Sequence, residues 1–166
     1  MGAAESRAAA ADMAEPQPMI ATDRSRTLVA ASATGPASLD LHWSDGTRAC
    51  IEVGDVLDDQ AFAALRDPAI FDGVTLGDWG HSLVWPSGDE LGADALWRRT
   101  LSATGRDDAR RFLDWRLRHG LSLSAAAAAL GVSRRMVAYY SNGEKTVPRP
   151  ILLACRGWEV EARAAA

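Results

Sequence analysis

The sequence has few cysteines and histidines, and this scarcity excludes several classes of site. Its 166 residues include two cysteines, Cys50 and Cys155, which lie far apart without CxxC spacing. A disulfide framework and a cysteine zinc site are therefore excluded, and we expect both thiols to be small core residues. The three histidines, His42, His81 and His119, are scattered without metal-ligand spacing. We predict no metal and no cofactor.

Long apolar runs and catalytic motifs are also missing. No run approaches the roughly 18 residues that a membrane helix needs. The first residues lack the basic start and continuous apolar core of a signal peptide. We therefore predict a cytoplasmic protein with no membrane partner. A phosphate-cradling GxxxxGK loop and a nucleophile elbow are absent as well.

One group of carboxylates could in principle carry acid–base chemistry. Asp89 and Glu90 are adjacent, Asp94 follows closely, and His81 is a candidate base. Adjacent carboxylates on a glycine-flanked loop are typical of solvated turns, and Asp94 is placed to cap a helix over residues 95–101. We therefore predict that the protein is not an enzyme.

Charge is distributed unevenly along the chain. The net charge is −4, but residues 106–166 contain 11 Lys and Arg against 6 Asp and Glu. The first 105 residues contain 7 Lys and Arg against 16 Asp and Glu. A basic C-terminal part is what a DNA-binding unit requires, because neutralised phosphates supply most of its sequence-independent affinity. The excess of Asp and Glu residues in the N-terminal part favours solubility.

The N-terminal part begins with residues 1–24, which are rich in alanine and lack hydrophobic periodicity, as in a disordered tail. Strand patterns follow in residues 25–103. Leu28–Ala30 is a short apolar run, and Ser38–Trp43 alternates polar with apolar residues. Ser44-Asp45-Gly46 predicts a hairpin turn, with Thr47–Val53 as the returning strand.

A short helix and a second strand pair are predicted next. Leu57–Leu65 forms the helix, with Phe62 and Leu65 facing inward and Asp67-Pro68 ending it. Val74–Leu76 and Ser82–Trp85 form the strands around Gly77–Gly80. Three tryptophans in this part are expected in the core, with a ligand pocket or a protein interface as alternatives: Trp79, Trp85 and Trp97.

Leu101–Gly105 is small and polar and predicts a short linker before an all-α domain over residues 104–166. Asp107 or Asp108 caps the first helix, in which Phe112 and Trp115 are apolar. Ile151–Val160 is predicted as the closing helix. The arginines of the first helix are expected to be solvated: Arg110, Arg111, Arg116 and Arg118.

Between these helices, Leu121–Gly143 predicts two short helices joined by a tight turn. Ser122 is a good N-cap, Ala125–Ala129 supplies strong helix formers, and Gly131 suits the positive φ of a helix end. Ser133 caps the second helix. In that helix Val137 and Tyr140 face inward, whereas Arg134, Arg135, Ala138 and Tyr139 face outward. Asn142-Gly143 ends it with the two residue types that best tolerate the left-handed conformation.

This segment resembles the lambda-repressor-like, or XRE-type, helix-turn-helix of bacterial DNA-binding proteins over about Arg106–Glu159. Leu130–Ser133 at the turn, Asn142-Gly143 and Pro148 carry the resemblance together with the inward residues. In that family the second helix enters the major groove. The candidate DNA-binding residues that the resemblance implies are Ser133, Arg134, Arg135, Ala138, Tyr139, Asn142, Lys145 and Arg149.

A second resemblance covers about Thr27–Arg98. Trp43–Thr47, Leu65–Phe71 and Val84–Leu91 are similar in order and residue type to the bacterial family called domain of unknown function 2442. Members are small α+β domains, and some carry a C-terminal helix-turn-helix. The family implies no activity and supplies no catalytic motif.

The sequence thus predicts an α+β fold class: a small N-terminal α+β domain of antiparallel strands with short helices, then the all-α lambda-repressor-like domain. The predicted function is sequence-specific binding of double-stranded DNA in transcription regulation, by a homodimer that reads two half-sites. Two alternatives stay open. One is an antitoxin-like or adaptor protein whose N-terminal domain binds a protein partner, and the other is a small-molecule sensor.

Overall fold

The computed structural model describes residues 26–165, so the predicted disordered tail of residues 1–24 lies outside the described residues. The described chain is a mixed structure in which two three-stranded antiparallel sheets precede a helical C-terminal part. The coarse α+β prediction is confirmed for these residues. No helix among them is both long and apolar enough to cross a membrane.

The first sheet contains β1 (Leu28–Gly35), β2 (Ser38–Trp43) and β3 (Arg48–Glu52) in that spatial order. Along β2 every second side chain is buried, as the alternation predicts, which gives the sheet one apolar face. Gly46 takes φ +87° in the predicted hairpin turn, and the Asp45 carboxylate accepts from the backbone N–H of Thr47 at 2.9 Å. The hairpin prediction is confirmed.

The second sheet contains β4 (Thr75–Leu76), β5 (Ser82–Val84) and β6 (Glu90–Gly92). The first two strands were expected, whereas β6 was not. It is only three residues long, and its glycine and acidic residues carry no apolar alternation that could predict it. β1 lies beside β4, so the two sheets adjoin.

The single helix predicted over Leu57–Leu65 is wrong. The structure has α1 (Gly54–Asp58), a 3₁₀ turn (Gln60–Arg66) and α2 (Pro68–Phe71). Asp59 breaks the helix because its backbone is extended and its carboxylate caps Ala61. Leu65 is buried as predicted. Asp67-Pro68 ends this segment as predicted, but it also begins α2, with proline in the first turn.

The longer helices are α3 (Ala93–Ala103), α4 (Asp107–Arg118), α5 (Leu123–Leu130), α6 (Arg134–Ser141) and α7 (Arg149–Ala164). Gly92 occupies the N-cap of α3, and Asp94 lies in the first turn, so the prediction that Asp94 caps this helix is wrong. The helix starts two residues earlier than expected because β6 leads directly into it. The closing helix α7 extends beyond the predicted Ile151–Val160 at both ends.

Helix α3 connects the sheet-containing part with the helical part. It packs against β3 on one side and α4 on the other. From β2, the indole Nε1 of Trp43 donates to Thr100 Oγ1 of α3 at 3.0 Å, and Trp43 packs edge-on against Trp97. Leu101, predicted in a linker, is a fully buried residue of α3. Only Thr104–Arg106 connects the two helices, and the domain boundary at residues 103/104 stays a prediction.

Burial corrects two residue predictions in the N-terminal part. Cys50 is exposed because it lies on the outward side of β3, where alternate residues face away from the core. Trp79 is 89% exposed, in a turn where its own φ is +56°. Trp85 and Trp97 are buried as expected. Cys155 is buried too, and burial raises the pKa of its thiol to about 12.

Candidate nucleic-acid interface

Helices α5 and α6 form the predicted pair joined by a tight turn. Ser122 Oγ accepts from the backbone N–H of Ala125 at 3.0 Å, and Ser133 Oγ accepts from that of Met136 at 3.2 Å. Gly131 ends α5 in the left-handed conformation at φ +66°. All three local predictions are confirmed, because each depends on one side chain and a backbone group within three residues.

The inward side of α6 is also as predicted. Val137 has no exposed surface, and the Tyr140 ring packs edge-on against Phe112 of α4 at 5.4 Å between ring centroids. On α5 the buried residues are Ala126 and Ala127, whose small side chains allow the helices to approach closely. Burial of one side of α6 against α4 and α5 fixes which residues the other side presents to solvent.

The C-terminal end of α6 is held against α3 and α4. Gly143 takes φ +69°, and a Cβ at this position would lie 2.8 Å from Leu101 Cδ2. The Arg106 guanidinium donates to the Gly143 carbonyl. Of the two residues expected to tolerate the left-handed conformation, Gly143 adopts it, whereas Asn142 is right-handed with φ −88°. One glycine suffices to end the helix.

Three predicted residues lie together on the outward side, and we call them the Tyr139 cluster. Arg135 Nε donates to the Tyr139 hydroxyl at 2.5 Å, and the Arg135 guanidinium carbon lies 5.2 Å from the centre of the Tyr139 ring. Lys145 Nζ lies 5.5 Å from the same ring. Both cations are within the range of cation–π attraction. The phenol therefore holds two positive charges at the surface of α6 and the following loop.

The other predicted residues have different environments. Arg134 is exposed and has no partner among residues 26–165. The Ser133 hydroxyl is occupied by its capping bond, and Ala138 is half-buried. The Asn142 amide lies 3.5 Å from a Glu144 carboxylate oxygen, and Arg149 is the exposed first residue of α7. The structure therefore brings Arg135, Tyr139 and Lys145 together but spreads the remaining residues around them.

The groups that fix the loop between α6 and α7 were not predicted from the sequence. The Asp108 carboxylate accepts from the backbone N–H of Val147 at 2.6 Å, and Val147 is buried. Asp107 or Asp108 was predicted as the cap of α4, but both lie in its first turn, and Arg106 occupies the N-cap. A bond between residues 39 positions apart leaves no local signal in the sequence.

The prediction that Arg116 is solvated is wrong, because the residue is only 7% exposed. Its guanidinium donates to Ser141 Oγ and to the Leu121 carbonyl, both at 3.2 Å. Arg116 therefore connects α4 to the end of α6 and to the segment before α5. Alternation of charged and apolar residues placed it on the solvated side, but the return of the chain over α4 covers it.

Charge on this surface is mostly positive. Residues 133–149 contain Arg134, Arg135, Lys145 and Arg149 but a single acid, Glu144. On α7, a hydrogen bond with His119 at 2.9 Å and the nearby charge of Arg118 hold the pKa of Glu159 below its usual value. Glu159 is thus ionised and already paired.

Other kinds of site find little support. Among residues 26–165 no three His, Cys, Asp or Glu side chains are grouped so that they could hold a metal ion. Trp85 stacks on Phe71 and Trp97 packs on Trp43, while Trp79 is exposed to solvent. These three tryptophans therefore do not enclose one ligand pocket, which was the geometry that the sensor alternative required.

Comparison with known proteins gives one solved relative. No family model matches the chain, so both resemblances stay predictions, and no curated protein matches it. The crystal structure of "putative DNA binding protein NE0471" from Nitrosomonas europaea is 38% identical, with a TM-score of 0.64, over 81% of this chain and 86% of that one. Coverage this broad includes both the sheet-containing and the helical part. The chain belongs to the same protein family as the Nitrosomonas europaea protein.

Proposed function

We propose that the protein is a sequence-specific DNA-binding transcription regulator that places α6 in the major groove. The observation that carries this proposal is the exposed cationic side of α6, where a capped helix on a packed support presents Arg134 and the Tyr139 cluster. The description of the Nitrosomonas europaea relative as a putative DNA-binding protein supports the same class of partner.

The dimensions of α6 suit this role. An α-helix with its side chains is about 10–12 Å across, which fits the major groove of about 12 Å width, and the eight residues of α6 extend over about 12 Å. Arg134 and Arg135 lie in its first turn, where a helix-turn-helix contacts base edges. An arginine can read guanine by donating to O6 and N7 together.

In the proposed complex, the residues around Arg135 either orient a base-reading side chain or contact the phosphate backbone. Tyr139 restrains Arg135 before DNA arrives, which lowers the entropy lost when the guanidinium binds a base. Lys145 and Arg149 lie beyond the end of α6, where they would contact phosphates and fix the register. Occupancy of an operator is then the regulatory event.

Selection of preferred sites from random-sequence duplex DNA tests the proposal. On the selected site we expect Arg134→Ala or Arg135→Ala to lose about 1–3 kcal/mol of binding free energy and to relax base preference. Lys145→Ala should weaken all sequences alike.

Arg111→Ala is the matched control, because it removes one exposed arginine from α4, away from the predicted contacts. Its effect on affinity should be smaller, and its base preference unchanged. If no sequence is enriched, or if all four variants behave alike, the base-reading role of α6 is refuted.

A second candidate function is that of an adaptor that binds a protein partner through its N-terminal part. The observation in its favour is the exposure of Trp79, with Val29 and Leu76 on the adjoining strands β1 and β4. The positive φ of Trp79 costs free energy, and such strain is common at functional positions. A stoichiometric complex that Trp79→Ser abolishes, together with a failed DNA selection, would favour this function.

A further inference from the structure

Helix α7 has an apolar surface on the side opposite to its packed side. The packed side contacts α4 and α5 through residues such as Cys155, which is buried. On the other side Leu153 is 51% exposed and Val160 is 65% exposed. Gly157 and Ala164 complete a row whose successive spacings are four, three and four residues. This spacing is that of a coiled-coil seam, in which Leu153 and Val160 occupy d positions.

Gly157 strengthens this interpretation because nothing inside the chain requires it. It lies in the interior of α7, where glycine costs about 1 kcal/mol relative to alanine. A Cβ at this position would meet no atom within 4 Å. The absence of a side chain therefore leaves space only on the exposed side, where a second helix could approach closely.

Charges on the two sides of the seam indicate what covers it. Arg149, Arg156 and Arg163 repeat every seven residues on one side, at g positions, and Glu161 lies on the other side, at an e position. Arg156 and Glu161 are exposed, and neither has an ion pair within the described part of the chain. The pattern is self-complementary, because one helix carries both the cation and the anion.

Orientation follows from the same charges. In a parallel pair, a g residue of one helix faces the e residue of the next heptad in its partner, so Arg156 would face Glu161 of a second copy, twice. In an antiparallel pair, g positions face g positions, and the arginine rows would repel each other. Only the parallel arrangement places opposite charges together.

We propose that α7 pairs in parallel with α7 of a second copy of this chain. A two-fold axis along the helices then brings both N-terminal ends of α7 to one end of the dimer. Because the loop with Lys145 leads directly into α7, both α6 helices lie towards that same end. This consequence for reading two half-sites rests on the proposed function, whereas the pairing itself does not.

The pairing should be weak without DNA. The row spans four positions on a helix of 16 residues, which is about 24 Å long. One helix face of this length buries less than the roughly 800 Å² per partner of a standard interface. A weak dimer of this kind forms at high protein concentration and is stabilised when two half-sites are occupied.

Charge reversal tests the pairing and its direction without DNA. Sedimentation equilibrium at low salt should show a wild-type dimer at high concentration. Arg156→Glu and Glu161→Arg should each weaken self-association at least about fivefold, because each creates a like-charge contact. The double variant should restore it. Stronger association of Arg156→Glu alone, or no difference among the variants, would overturn the parallel pairing.

Cysteine cross-linking provides a second test in a Cys50→Ser background, which removes the exposed thiol. In a parallel pair an a position faces its own copy, so Gly157→Cys should form a disulfide-linked dimer on oxidation. Ala154→Cys is the matched control, because its e position faces away from its own copy. Equal cross-linking of both variants, or of neither, would overturn the proposal.

The two proposals fail separately. Binding to a duplex with one half-site does not need the dimer. A protein that binds such a duplex but neither dimerises at high concentration nor cross-links through Gly157→Cys would exclude the α7 pairing and keep the DNA-binding function. A cross-linked dimer that binds no DNA would exclude the function and keep the pairing.

Discussion

Gly131 and Gly143 differ in the space around them, so we expect Gly→Ala to lower the free energy of unfolding by different amounts at the two positions. Both take a left-handed conformation, with φ +66° and +69°, so Gly→Ala strains the backbone by about 1–2 kcal/mol at either position. A Cβ at Gly131 meets nothing within 4 Å, whereas at Gly143 it would lie 2.8 Å from Leu101 Cδ2. Because Leu101 is fully buried, its side chain has little room to move. Overpacking of this kind typically adds about 1–3 kcal/mol.

Urea denaturation followed by tryptophan fluorescence measures both variants. We expect Gly131→Ala to lower the free energy of unfolding by about 1–2 kcal/mol and Gly143→Ala by about 2–5 kcal/mol. The difference between the two variants reports on the contact between the end of α6 and α3. Equal losses would show that α3 does not constrain the end of α6.

Three further predictions concern burial and charge. A water-soluble thiol reagent should label Cys50 in the folded protein and Cys155 only after unfolding, because Cys155 is buried with a pKa of about 12. Arg116→Ala should lower the free energy of unfolding by about 1–3 kcal/mol, since it leaves the Ser141 hydroxyl and the Leu121 carbonyl without this donor. Glu159→Gln should lower stability at pH 7, and urea titrations should show this loss shrinking as the pH falls below about 4.5, because the pKa of Glu159 is lowered in the fold by its bond with His119.

The sequence predicted the α5–α6 pair almost residue by residue. The reason is that its signals are local: Ser122, Gly131 and Ser133 act on backbone groups within three residues. The β2–β3 hairpin was predicted for the same reason, from alternation and one Asp-Gly turn. Elements that carry their own cap or turn residue can be predicted without knowledge of the rest of the fold.

The wrong predictions of burial and of hydrogen-bond partners share a physical cause, which is contact between residues far apart in the sequence. The buried Arg116 donates to the Leu121 carbonyl and to the Ser141 hydroxyl. The Asp108 carboxylate accepts from the backbone N–H of Val147, 39 positions away. The prediction for Trp79 was wrong in the opposite sense. Its side chain was expected to be buried, but the turn that contains it exposes it to solvent. The candidate site was therefore predictable on α6 itself, while the residues that hold α6 in place were not.

The most direct test of the central claim is a nuclear magnetic resonance titration of isotopically labelled protein with its selected DNA duplex. We expect the largest shift changes at the amides of Ser133–Tyr139 and of Lys145, and no change in the turn at Trp79. Shift changes concentrated around Trp79 and β1, with α6 unaffected at saturating DNA, would contradict it.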